Sequence, residues 1–260
     1  METGPLPPEI AREIKAAVQT LKVSRRIIAL TGAGISTPSG IPDFRSPGTG
    51  VWENVDPFEV ASIYAFKRRP EAFYSWILPM ARLINKAESN EAHFALARME
   101  EDGRLKGVIT QNIDMLHAKA GSKIVFELHG HMREMTCLRC YSEYSSEPYL
   151  EDFLASGALP YCVRCGGILK PNLILYGEQL PMDVFSQASQ LVDSCDVMLV
   201  IGSSLTISPA CDLPLQARRS GASIIIVNFE PTSVDYLADT VIHANVVDVI
   251  PRIVDSLLNQ

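Results

Sequence analysis

A short apolar run that breaks into glycine constrains this chain more than any other feature. Ile27-Ile28-Ala29-Leu30 stops at Thr31-Gly32-Ala33-Gly34, and a brief, β-branched, glycine-ended run is how a strand buried on both faces of a parallel sheet reads. The signature recurs at Val108-Ile109-Thr110, Ile124-Val125-Phe126, Val197 to Ile201, Ile224 to Val227 and Val241-Ile242. Helical periods fill most of the gaps. Ile10, Ile14, Val18 and Leu21 follow Pro8; Val184, Ala188, Leu191 and Val192 form a second set; Val247, Ile250, Ile253 and Leu257 close the chain. Strands alternating with helices predict an α/β fold, a doubly wound Rossmann-like parallel sheet. Ligands of such sheets bind beyond the carboxyl ends of the strands.

Two stretches interrupt the alternation. Residues 46–105 show no clear strand, and Pro57 and Pro70 each read as a helix start, which predicts a helical insert. Met132 to Lys170 holds four cysteines and little periodicity. The Rossmann-like domain is therefore expected in three pieces, 1–45, 106–131 and 171–260, with a small zinc-binding domain over 132–170. No apolar run approaches the ~20 residues that span a bilayer, and Met1-Glu2-Thr3-Gly4-Pro5 lacks a signal pattern, so the chain is read as cytoplasmic. A net charge of −7 with no Lys/Arg run argues against a nucleic-acid partner, and no membrane partner is expected.

Cys137-Leu138-Arg139-Cys140 and Cys162-Val163-Arg164-Cys165 are two CxxC knuckles about twenty residues apart, close to zinc-ribbon spacing. Four thiolates converging on one point complete a tetrahedron around zinc and leave no place for water, so the metal is expected to be structural. Two disulfides and four free thiols are the competing readings. A cytosolic chain disfavours the first and the paired spacing the second. Cys195 and Cys211 fall outside the pattern and read as buried apolar thiols.

Gly32-Ala33-Gly34 follows a strand as in a dinucleotide site, where glycines let backbone amides approach a pyrophosphate. The third glycine of that fingerprint is missing, since Thr37 stands there, and no second strand ending in an acid follows about 20 residues on. A tight strand-to-helix turn with no ligand reads the motif equally well. Company at other strand ends favours a site: Gln111-Asn112-Ile113-Asp114, His129-Gly130, Gly202-Ser203-Ser204 and Asn228-Phe229-Glu230 converge on one crevice in a doubly wound sheet. Glu230 suits ribose hydroxyls, or is an exposed turn acid before Pro231.

Taken in order, Gly32-Ala33-Gly34-Ile35-Ser36, Ile41-Pro42-Asp43-Phe44-Arg45, Gln111-Asn112-Ile113-Asp114, Leu128-His129-Gly130, the CxxC pairs, Tyr176-Gly177-Glu178 and Gly202-Ser203-Ser204 make the chain similar to the sirtuins, NAD-dependent protein deacylases. The resemblance runs from about Arg26 to the C-terminus. It implies that NAD is consumed as the acyl group leaves lysine, giving nicotinamide, free lysine and an O-acyl-ADP-ribose. His129 is then expected to be the general base on a ribose hydroxyl, since imidazole accepts a proton near neutral pH. Asn112 would position ribose and water, while Asp114 and the Ile113 backbone would hold the nicotinamide carboxamide. Asp43, Phe44 and Arg45 would lie on a cofactor loop within reach of the 46–105 insert, Phe44 shielding the reactive carbon from water. Adenosine would sit over Gly202, Ser203 and Ser204, with Asn228 and Glu230 on its ribose and Val246 near the base. Gln111 and Ile35 complete the cofactor set. Leu173, Ile174 and Tyr176 would line an apolar tunnel for the acylated lysine, while Gly177-Glu178 and Leu205-Thr206 would flank the substrate peptide as strands.

Plainer readings stand beside these. Phe44 fits a core, Leu173-Ile174-Leu175 reads as a buried strand, His117 as an organiser of its loop and His131 as a rival base; His93 and His243 read as ordinary helix and strand residues. Sirtuins that remove acidic acyl groups carry Tyr and Arg three residues apart in the insert. Here Tyr74 is followed at that spacing by Ile77, which cannot pair a carboxylate, although Arg82 could reach in; acetyl and longer apolar groups are favoured. Ser203 stands for the usual Thr, Tyr176 for a common Phe, and Ala244-Asn245-Val246 for Gly-Asp-Ala. Mono-ADP-ribosyl transfer to a protein side chain from the same pocket and a non-catalytic, zinc-stabilised NAD-binding adaptor are the alternative functions.

Overall fold

The computed structural model describes residues 6–44, 50–52 and 55–259. Its elements in chain order are α1 (Pro8–Val23), β1 (Ile27–Thr31), α2 (Pro57–Val60), α3 (Ile63–Arg68), α4 (Pro70–Lys86), α5 (Glu91–Glu101), β2 (Leu105–Thr110), α6 (Leu116–Ala120), β3 (Val125–Glu127), β4 (Gly130–Cys137), β5 (Glu143–Ser145), α7 (Glu147–Ser156), β6 (Leu169–Leu173), α8 (Met182–Asp193), β7 (Val197–Ile201), α9 (Leu213–Arg219), β8 (Ser223–Val227), β9 (Thr240–Ile242) and α10 (Val246–Leu258). Pro8, Pro57 and Pro70 each open a helix, where the missing N–H has no partner to lose.

Six strands form one sheet in the order β3-β2-β1-β7-β8-β9, and every pairing in it is parallel. Strand alternation explains the apolar runs. Ile27, Ala29, Val197, Leu199, Ile201, Ile225 and Val227 pack on one face with α1, α5 and α10. Ile28, Leu30, Met198, Val200, Ile224 and Ile226 pack on the other with α8 and α9. Side chains two apart share a face, so a strand covered on both sides reads apolar throughout. The order reverses between β1 and β7, and that switch point is where an open α/β sheet carries its ligand crevice.

A second sheet, β5-β4-β6, is antiparallel. Its buried apolar residues are Met135, Cys137, Cys162 and Leu169, half of them cysteines. A full side chain such as Leu contributes roughly 1.5–3 kcal/mol when buried, so so small a cluster relies on what the thiols hold. The helices α2, α3, α4 and α7 build a third cluster around Phe66, Phe73, Tyr74 and Phe153. Among the described residues no helix is long and apolar enough to cross a membrane.

Three local expectations change. The apolar run Leu173-Ile174-Leu175 leaves its strand at Leu173 because the chain changes partners: Ile174 N–H donates to His129 O (2.8 Å), and Tyr176 pairs with the Ala61–Ile63 stretch. Cys195 is buried, but Cys211 is only half-buried, since it sits in the short turn Ala210–Asp212 between buried Ala210 and exposed Asp212. His243 lies one residue past β9, its Nδ1 3.2 Å from Asn228 O.

Candidate active site

Two strand-end turns meet at the switch point with no room for side chains. A Cβ on Gly32 would stand 2.8 Å from Gly202 O, and one on Gly34 2.9 Å from Gly202 Cα. Gly202 has φ +60°, and a Cβ there would stand 2.3 Å from Ile35 N. Gly32 N–H donates to Ile201 O (3.1 Å) and Gly34 N–H to Gly202 O (2.8 Å). The glycines are thus required by backbone meeting backbone, and these two amides are spent inside the protein. That corrects the expectation that they face a pyrophosphate.

Beneath the turns lies a buried polar cluster. Asn112 Nδ2 donates to Gly32 O (3.1 Å) and to Ser36 Oγ (3.1 Å). Ser36 Oγ donates to Asp114 Oδ2 (2.6 Å), and Leu116 N–H to Asp114 Oδ1 (2.9 Å). Met115 takes φ +62°, the left-handed bend that brings the Asp114 carboxylate back onto the start of α6. Burial pushes the Asp114 carboxyl above its ordinary range; the Ser36 and Leu116 hydrogen bonds and the Lys119 charge oppose that, and the Glu127 charge adds to it. Gln111 Nε2 donates to Ser203 Oγ (2.9 Å), tying the β2 end to the β7 end.

His129 stands between β3 and β4, with Nδ1 2.9 Å from Gln111 O. A carbonyl oxygen only accepts, so the ring proton resides on Nδ1 and the neutral imidazole keeps its lone pair on Nε2. Arg133 grips Glu127 with both guanidinium nitrogens, Nη1 to Oε1 at 2.8 Å, and so clamps the strands on either side of the His129 turn. His131 lies on β4, half-buried, with Nε2 3.9 Å from Glu134; burial is the main cause lowering its basicity.

The remaining predicted residues divide. Asn228 Nδ2 donates to Glu230 O (2.6 Å) and Glu230 is exposed past β8. Ser203 is buried, Ser204 exposed and Ile35 buried. Val246 is buried in the core with α1 and α5, because Asn245 caps α10 there (Val247 N–H to Oδ1, 3.3 Å). Asp43 and Phe44 are half-buried, their carbonyls accepting Val51 N–H and Trp52 N–H (both 3.1 Å); Arg45 lies outside the described residues. On the tunnel side Leu173 and Leu205 are buried, and Ile174 and Ile113 half-buried. Glu178 turns inward, accepting Leu175 N–H (2.9 Å) and pairing with Lys170 Nζ (3.0 Å). Neither Gly177-Glu178 nor Leu205-Thr206 is a strand in the free chain, since a strand there lacks a partner to bond.

An aromatic row passed unnoticed in the sequence. Phe44 stacks on Trp52 (5.4 Å), Trp52 on Trp76 (4.8 Å), and Trp52 meets Tyr176 edge-on at 6.3 Å, with Phe58 5.0 Å from Tyr176. Both tryptophans of the chain fall in the helical stretch, and that was the available signal. Tyr74 is fully buried, its hydroxyl donating to Leu169 O (2.6 Å). Arg82 is committed to Leu154 O (2.8 Å) and Ala155 O (3.3 Å) of α7, which removes it as a hand reaching inward.

The four knuckle thiols lie within 4.8 Å of one another, with Cys137 Sγ and Cys165 Sγ at 3.5 Å and Cys140 Sγ and Cys162 Sγ at 3.6 Å. Sulfurs ~2.3 Å from a tetrahedral zinc stand about 3.8 Å apart, so the cluster fits that ion, and none of the four is in a disulfide. A Cβ on Gly167 would come 2.9 Å from Cys137 Sγ, so the second knuckle needs glycine there. Four thiolates would fill the coordination shell of a zinc there and leave no place for water, which suits a structural ion.

Comparison with known proteins follows the same outline. The sequence model of the Sir2 family matches residues 32–209. An NAD-dependent protein deacylase 2 of Archaeoglobus fulgidus is 45% identical over 94% of this chain and 96% of its own. An NAD-dependent protein deacetylase 2 of Caldanaerobacter subterraneus is 47% identical over 88% and 89%. A solved Sir2 complex with a p53 peptide and NAD+ superposes with a TM-score of 0.84, at 41% identity, over 93% of this chain and 97% of that one.

Proposed function

The chain belongs to the Sir2 family and is an NAD-dependent protein-lysine deacylase, and from that premise we propose that His129 is its general base and that acetyl and other apolar acyl groups are its cargo. The overall reaction consumes NAD and one water as it removes the acyl group from a protein lysine, and yields nicotinamide, free lysine and O-acyl-ADP-ribose. NAD when bound supplies a glycosidic carbon that the acyl oxygen attacks as nicotinamide leaves.

One observation carries the role of His129: its Nδ1 is tied to Gln111 O at 2.9 Å, which puts the ring proton on Nδ1 and makes Nε2 the basic nitrogen for a ribose hydroxyl. Asn112, held through Gly32 O and Ser36, orients ribose and water. Asp114, raised by burial and bonded to Ser36, receives the carboxamide together with the Ile113 backbone. Gly32, Ala33, Gly34 and Ile35, with Gln111, Gly202, Ser203 and Ser204, form the wall against the dinucleotide; Asn228, Glu230 and the backbone around Val246 serve its adenosine end. Asp43 and Phe44 belong to the cofactor loop, to which the family resemblance adds Arg45, and the Phe44–Trp52–Trp76 row shields the reacting carbon from water.

The acylated lysine enters past Leu173, Ile174 and Tyr176, and the peptide backbone adds to Gly177-Glu178 on one side and Leu205-Thr206 on the other, by main-chain pairing that reads little sequence. Glu178 contributes its backbone alone, its carboxylate being engaged by Lys170. An apolar Ile77 and an Arg82 bound to α7 support neutral over acidic acyl groups. A net charge of −7 with no basic run supports protein over nucleic-acid substrates.

The test is a panel of acetyl-, longer acyl- and succinyl-lysine peptides incubated with NAD and read by mass. O-acyl-ADP-ribose forms with the neutral acyl groups and drops off with succinyl. Transfer of ADP-ribose to the peptide without loss of its acyl group overturns the reading.

A further inference from the structure

Two histidines outside the reaction face each other in the core beneath the crevice. His93 on α5 and His117 on α6 are both buried, with ring centroids 4.8 Å apart and planes at 65°. Each has one ring nitrogen already committed, and the partners fix the tautomers. Asn90 N–H donates to His93 Nδ1 (3.3 Å), so the His93 proton sits on Nε2. His117 Nε2 lies 2.9 Å from Thr31 Oγ1. The one hydroxyl proton of Thr31 goes to Thr110 Oγ1 (2.9 Å), so that oxygen accepts from His117 Nε2–H, and His117 keeps its lone pair on Nδ1.

The two committed ends leave a matched pair. His93 Nε2, a donor, and His117 Nδ1, an acceptor, are both buried, and neither has a hydrogen-bond partner among the described residues, the other ring included. An orphaned buried donor or acceptor costs about 1–3 kcal/mol, which favours the two orphans serving each other. Protonation of either ring would set donor against donor, and burial lowers both, His93 to about 4 and His117 to about 3. The chain of contacts continues at both ends to the same glycine turn. Thr110 Oγ1 also accepts Asn112 N–H (3.1 Å), and Asn112 holds Gly32 O. At the other end Asn90 Nδ2 donates to Ile35 O (2.8 Å) and Ser39 Oγ (3.0 Å).

We propose that a small turn of the facing rings pairs His93 Nε2–H with His117 Nδ1 as a neutral, tautomer-locked relay, which closes a ring through Asn90, Thr31, Thr110 and Asn112 around the 32–35 turn, and that His117 is a positioning residue acting on Asn112 through the two threonines. The second half rests on Asn112 being part of the NAD site; the first half does not.

The experiment separates them. Nitrogen-15 NMR of the whole, ligand-free protein at pH 7 reads both rings as neutral Nε2–H tautomers; an Nδ1–H tautomer or an imidazolium at either residue overturns the relay. For positioning, His117→Gln supplies a donor and an acceptor, whereas His117→Leu supplies neither. His117→Leu lowers kcat for nicotinamide release by ~10²-fold, the scale of an ångström's misplacement, and His117→Gln recovers most of it at equal folded fraction. If both variants lose stability equally and keep wild-type kcat in their folded fraction, the positioning role falls while the relay stands.

Discussion

The two halves of the site are built differently. The nucleotide half is finished before any ligand arrives: Asn112, Asp114, Ser36 and Ser203 are buried and bonded to one another or to fixed backbone, and the glycines lock two turns together. The peptide half is made of turns and rings. Phe58 and Tyr64 are 63% and 69% exposed, Gly177 takes φ +87°, and the segments expected to flank a peptide have no strand of their own. Buried polar groups must be satisfied by the protein itself, so the first half is rigid by necessity. An edge waiting for main-chain partners is completed by its substrate.

Three perturbations should separate the halves. The largest effect comes from Gly202→Ala. The new Cβ collides with Ile35 N and forces a side chain onto φ +60°, which combines strain with overpacking, roughly 3 kcal/mol or more. NAD binding by calorimetry and the melting temperature both fall, whereas Gly166→Ala, at φ +68° with open space around it, costs about 1 kcal/mol.

Acid exposes the same rigid half next. His93 and His117 have folded values near 4 and 3 against about 6.5 unfolded. The unfolded chain therefore binds protons first, and the stability these residues contribute is present above about pH 6.5 and lost as pH falls toward those values. The slope is ~1.4 kcal/mol per pH unit for each histidine. Denaturant melts between pH 7 and 5 show it, and His117→Gln removes about half of this contribution. A slope unchanged by that substitution would argue that the pair titrates normally.

The smallest effect belongs to the peptide side. Phe58→Ala removes an exposed ring set against Tyr176, so KM for an acetylated peptide rises by roughly 3–10-fold, an aromatic contact of about 1 kcal/mol, while the Kd for NAD holds. A change in NAD affinity as large as that in peptide KM would erase the division.

Much of the rigid half could be read in advance, for a physical reason. Strands covered on both faces appear as unbroken apolar runs, glycine marks their ends, and four thiols at ribbon spacing declare a metal. What escaped reading depends on distant segments meeting. The Gly32 and Gly34 amides turn to β7 and not outward because Gly202 arrives there, and no local pattern carries that. Thr31, Thr110, His93 and His117 are ordinary residues until the sheet and α5 bring them together. Arg82 looked free and is held by α7, and the aromatic row emerges only when Trp52 and Trp76 stack.

The central claim is that His129 takes the proton that lets the acyl group move to the ribose. The direct measurement is His129→Ala with acetylated peptide and NAD, following binding of both ligands and O-acetyl-ADP-ribose by mass. Both ligands bind within a few fold of the unsubstituted protein, and the product falls by ~10²–10⁴-fold, the range of a general base. Product formed at an undiminished rate would contradict the assignment.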